Sequence, residues 1–155
     1  MILRDIRDYF KKKVEDSQGK IPYFVFGIDE KALRESVGTF DNIFMFVDYG
    51  QIESSIDKMN RIYQKFELAV TIAKPVGANP LDNDALNEVS FECYELAVAM
   101  AKDMYTAQRE RPWMKNLSDS FSIMPFVAPD IARSIGCTLS FKVEGYDMLG
   151  FKCKC

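Results

Sequence analysis

Apolar and polar positions alternate strictly through Phe66-Glu67-Leu68-Ala69-Val70-Thr71-Ile72-Ala73, and the pattern breaks at Pro75. A long stretch of helical period follows. A period of two means a strand with one core face, and a period near 3.6 means a helix able to cover it. The earlier chain adds a surface helix over residues 2–15. Ile2, Leu3, Ile6, Tyr9, Phe10 and Val14 line one side, Arg4, Asp5, Arg7, Asp8, Lys11 and Lys12 the other, and Gly19 ends it. Pro22 to Ile28 is aromatic and β-branched and predicts a strand. Residues 29–38 predict one or two helical turns ending at Gly38.

A second strand is predicted from Phe40 to about Glu53. Its centre, Ile43-Phe44-Met45-Phe46-Val47, is apolar on both faces, as in an interior strand or one that meets a helix or another subunit. Gly50 within it marks a candidate bulge. A turn at 57–60 leads into a third strand, Ile62 to Lys74, which completes a long antiparallel hairpin. Asp82 or Asn83 caps a helix running to about Glu110, with Leu86, Val89, Cys93, Leu96, Met100, Met104 and Ala107 stepping by threes and fours. Its length of roughly 40 Å is large for so small a domain. Strands at Ser120–Val127 and Cys137–Glu144 follow. The last alternates Cys, Leu, Phe, Val against Thr, Ser, Lys, Glu. The expected fold is therefore α+β, an antiparallel sheet of about five strands carrying an N-terminal helix and one long helix. Residues 1–150 form a single domain and 151–155 a tail.

Composition narrows function by exclusion. The 155 residues are 48% hydrophobic and 28% charged, with a net charge of −3, which places the chain among globular domains and argues against phosphate neutralisation on nucleic acid. No apolar run reaches the roughly 18–20 residues that a bilayer crossing needs. Met1-Ile2-Leu3-Arg4-Asp5 lacks a signal-peptide layout, so the expected location is cytoplasmic.

The chain has no histidine, which removes His-based triads, His-ligated metals and a His general base. Gly-rich phosphate loops and a nucleophile elbow are missing too. Cys93 and Cys137 fall on apolar faces and read as small core residues, while Cys153-Lys154-Cys155 offers two thiolates that do not complete a tetrahedral site. No catalytic set, cofactor or metal is expected. Candidate interface residues are Ile43, Met45 and Val47 on the doubly apolar strand. Arg109, Arg111, Trp113 and Met114 past the long helix join them, since Arg, Trp and Met are enriched at interface cores. For Trp113 the alternative is a plug over the core.

The order of elements resembles the small tail-terminator (tail-completion) proteins of bacteriophages and prophages. The matching pieces are Ile2–Val14, FDNIFMFVDYG at 40–50, KFELAVTIAKP at 65–75, the helix of 84–110 and GCTLSFKVEGYDM at 136–148. The resemblance implies a structural protein of the head–tail junction, forming a ring, usually a hexamer, with itself and contacting other tail or connector proteins. Its location would then be the virion. The 112–135 stretch adds a strand to that pattern. Two alternatives stay open: a ligand-binding domain with a pocket between the long helix and the sheet, and a His-free enzyme built on carboxylates or a metal.

Overall fold

The computed structural model describes residues 2–27, 30–77, 82–114, 117, 121–128 and 133–146. In chain order the elements are α1 (Ile2–Glu15), β1 (Tyr23–Phe26), α2 (Glu30–Val37), β2 (Phe44–Asp48), β3 (Ile52–Ile56), β4 (Ile62–Pro75), α3 (Asn83–Ala107), β5 (Ser122–Ala128) and β6 (Ser134–Tyr146). A 3-10 turn at Pro112–Met114 precedes β5. The expected tail at 151–155, with Cys153 and Cys155, lies outside the described residues.

The two alternating segments become the sheet's centre. β4 and β6 pair antiparallel from Tyr63 opposite Tyr146 to Pro75 opposite Ser134. The sheet runs β1-β2-β4-β6-β5, with β3 also paired to β4, and so has six strands rather than about five. The additional strand arises because the predicted second strand is split. Asp48 faces Ala69 and Ile52 faces Phe66, so Tyr49, Gly50 and Gln51 oppose only Glu67 and Leu68. This is a β-bulge, and Gly50 adopts the left-handed φ of 51° that it requires. The Asp48 carboxylate accepts from the Gly50 N–H at 2.9 Å and holds the turn.

β1 departs from the antiparallel expectation by pairing parallel to β2, Tyr23 opposite Phe44. Parallel neighbours need a crossover, and α2 supplies it. That helix explains why β2 is apolar on both faces. Met45 and Val47 point into the main core under α1 and α3, while Phe44 packs with Leu33 and Val37 of α2 on the reverse side.

The main core joins Ile6 and Phe10 of α1 to Leu68, Val70, Ile72, Cys137 and Leu139 of the sheet, closed by Cys93, Ala97, Met100 and Met104 of α3. Asp82 caps α3, its carboxylate accepting from the Ala85 N–H at 2.8 Å. Gly136 permits the closest backbone contact between β4 and β6. A Cβ there would lie 2.6 Å from Ala73 Cα. The reverse face beyond α2 is polar, with the Thr71 and Thr138 hydroxyls 2.8 Å apart across β4 and β6.

Candidate interaction surfaces

Burial first sorts the residues that the sequence singles out as contacts. Ile43, Met45, Val47, Trp113 and Met114 are all buried within the chain itself, so their side chains offer no surface to a partner. The cause for the strand residues is that all three point into the main core under α1 and α3. For Trp113 and Met114 it is the 3-10 turn, which folds them onto the main core. The core-plug alternative for Trp113 is the one that the structure contains. Arg111 is half-buried, its guanidinium 5.1 Å from the centre of the Tyr9 ring. Of the candidates only Arg109 is fully exposed.

Two clefts on the described surface stand out, and neither falls between α3 and the sheet, where core side chains pack. One, of about 620 Å³, follows the bulge and is lined by Gly50, Glu53, Lys65, Glu67, Lys142 and Glu144 among others. Its charges are matched by cross-strand pairs, Lys65 to Glu144 at 3.6 Å and Lys142 to Glu67 at 3.4 Å. These exposed pairs sit opposite one another in the β4–β6 register and add little stability.

The other cleft, of about 520 Å³, has Tyr9 and Trp113 beneath a rim of Asp5, Asp8, Lys12, Glu110 and Arg111. The two rings meet edge to face at 5.6 Å. The Tyr9 hydroxyl and the Trp113 indole N–H are both buried without a hydrogen-bond partner among the described residues. Burial pushes the Tyr9 phenol up to about 12, the Asp103 charge adds to this, and Arg111 opposes it.

Thiol chemistry is suppressed at Cys93 and Cys137. Burial raises Cys93 to about 12 and Cys137 to about 11, which keeps both protonated near neutral pH. The Cys137 thiol faces the Cys93 carbonyl at 3.4 Å, so the pair ties α3 to β6 as small core groups. Among the described residues no group of three His, Cys, Asp or Glu side chains is placed to hold a metal ion, and no helix is long and apolar enough to cross a membrane.

Exposed apolar side chains stand out instead, and most of them gather in two places. The first is the outer side of α3, where Phe91, Tyr94 and Val98 are 57%, 46% and 41% exposed, together with Phe121 and Val127 around the edge strand β5, whose Met124 is exposed on the reverse face of the sheet opposite Thr138. The second is the tip of the β3–β4 hairpin, with Ile56, Met59 and Ile62. β5 flanks the first half of β6, whereas β3 flanks the half of β4 that pairs with the end of β6. The patches therefore occupy diagonal corners of the sheet.

The sequence reading missed the α3 stripe because it follows one apolar face of that helix, and α3 has a second. Phe91, Tyr94 and Val98 recur at three and four residues just as the buried set does. The signal was present in the same periodicity. No family model matches this chain, and no curated protein or solved structure is significantly similar to it.

Proposed function

We propose that this chain is a non-catalytic assembly subunit that associates with further copies of itself. The observation that carries the reading is the confinement of exposed large apolar side chains largely to two patches at diagonal corners of one sheet. Large contiguous apolar patches on a folded surface mark contacts with other molecules. Two separate contacts per subunit are what a closed assembly larger than a dimer requires. The specific form we favour is a ring subunit that completes a phage or prophage tail, on the order of elements: N-terminal helix, long hairpin, long helix, closing strand.

Light scattering on a size-exclusion column, across a range of concentrations, tests the reading. A discrete species above one chain of 17.8 kDa is expected, near six times that mass for a hexamer. Changing Ile56 and Met59 to Lys at the hairpin tip should lower that mass without changing the melting temperature. A protein that stays monomeric at every concentration, alone and with tail-tube protein, refutes it.

The cleft at Tyr9 and Trp113 favours a second reading, a small-ligand site, because two buried polar groups there lack partners. Trp113 is the sole Trp, so its emission reports occupancy directly. A library of small polar compounds that leaves the emission unmoved argues against this reading.

A further inference from the structure

The exposed side of α3 carries charge as well as apolar surface, and the two are in register. Phe91, Tyr94 and Val98 form a stripe, and Tyr105 continues its line two turns further on, its ring 5.6 Å from that of Phe121. Beside the stripe, at intervals of seven residues, stand Glu88, Glu95 and Lys102 of α3, and Arg109 lies two residues past the helix end, all four exposed. Residues seven apart on a helix share a face, since two turns return nearly to the same angle. The series is acidic in the first half of α3 and basic at its end. None of the four forms an ion pair with any described residue.

A charge series that reverses sign along a helix matches a second copy of itself only when that copy runs antiparallel. We infer that α3 pairs with α3 of a second copy about a two-fold axis beside Val98. Val98 then meets its own counterpart, and Phe91 lies toward Tyr105 of the second copy. Glu95 falls opposite Lys102 of the second copy, a pair that occurs twice by symmetry, and Glu88 lies toward the helix end that Arg109 follows. Such a contact is isologous, so every residue acts once from each side. A parallel pairing would turn the charged flank of each helix to the opposite flank of the other, setting Glu95 near buried Ala97 and leaving the charges unmatched.

The opposite flank of the stripe is closed by the subunit's own sheet, because Ala97 and Met104 are buried there. The flanking ion pairs therefore form on the side away from both sheets. Phe121 and Val127 from β5 widen the apolar strip on the sheet side. The inference rests on the assembly reading and names its elementary unit, a two-fold dimer, so that assemblies built on it are even-numbered.

Sedimentation equilibrium on the full chain tests it with Glu95→Lys, Lys102→Glu and the two combined. Each single change turns two attractive pairs into two repulsive ones and should weaken dimerisation roughly tenfold. The combined variant again sets unlike charges opposite and should return to wild-type affinity. All four side chains are exposed, so melting temperatures should stay unchanged, and Val98→Glu at the axis should abolish the dimer. If the wild type self-associates and the single variants do so equally well, or the combined variant is not rescued, the α3 pairing is wrong while the assembly reading stands. A wild type that stays monomeric to its solubility limit overturns both. Dimer loss in Val98→Glu with no response to the charge variants would point to a different occupant of the stripe and overturns the antiparallel pairing.

Discussion

Replacing Tyr9 by Phe should stabilise this protein, opposite to the usual effect of deleting a buried tyrosine hydroxyl. The hydroxyl is buried and has no hydrogen-bond partner among the described residues, while the ring is held by Phe10 at 5.1 Å and Trp113 at 5.6 Å. An unsatisfied buried polar group costs about 1–3 kcal/mol relative to its hydrated state in the unfolded chain. Phe keeps the ring contacts and forfeits only the dispersion of one oxygen, a few tenths of a kcal/mol. The net expectation is a gain of about 1 kcal/mol, or a rise of roughly 2–4 °C in melting temperature for a chain of this size. Urea unfolding at a concentration where both proteins have the same mass measures it, as a higher midpoint with an unchanged m-value. A loss of stability of about 1 kcal/mol would refute the reasoning, because it would mean that the hydroxyl does bond to something, such as an enclosed water.

Three further outcomes follow from the packing and the titrations. Gly136→Ala should cost about 2 kcal/mol or more, since its Cβ would sit 2.6 Å from Ala73 Cα in the central strand pair; an unchanged urea midpoint would contradict that contact. Asp82→Ala removes the hydrogen bond to the Ala85 N–H and should lower stability by about 1 kcal/mol, while Asp82→Asn should recover most of it. Stability should decline on alkaline titration. The unfolded chain ionises its thiols near 9 and its phenols near 10, whereas folded Cys93, Cys137 and Tyr9 hold their protons to about 12, 11 and 12. The unfolded state thus binds fewer protons above pH 9. The stabilising contribution is complete below that pH and is lost as pH rises toward 12. A flat urea midpoint between pH 8 and pH 10.5 would show that these groups are not buried as described.

Much of the fold was legible because its signals are local. The alternation at 66–73 and 137–144 marked the two central strands, and β4 and β6 appear there, extended by a few residues at their ends. Asp82 announced the start of α3, and Gly50 marked the bulge. The site was harder to read. Ile43, Met45 and Val47 were legible as apolar, but the run left open whether a helix or another subunit covers the strand; the structure puts all three in the main core, while α2, short enough to look ambiguous, covers Phe44 on the other face. Trp113 drew attention by its residue type, and only its position against Tyr9 shows that it serves the interior.

By itself the sequence determined the order of the main strands and helices and which face of the two central strands is apolar. Those properties depend on side chains two to four residues apart. It also determined that no histidine chemistry occurs within the chain. Only the tertiary structure decided that β1 joins parallel to β2, that α2 closes the back of that strand, and which of the two apolar stripes of α3 faces the core. A single helix cannot distinguish its stripes until a sheet of finite width buries one of them. Here the sheet took Cys93, Ala97, Met100 and Met104 and left Phe91, Tyr94 and Val98 at the surface.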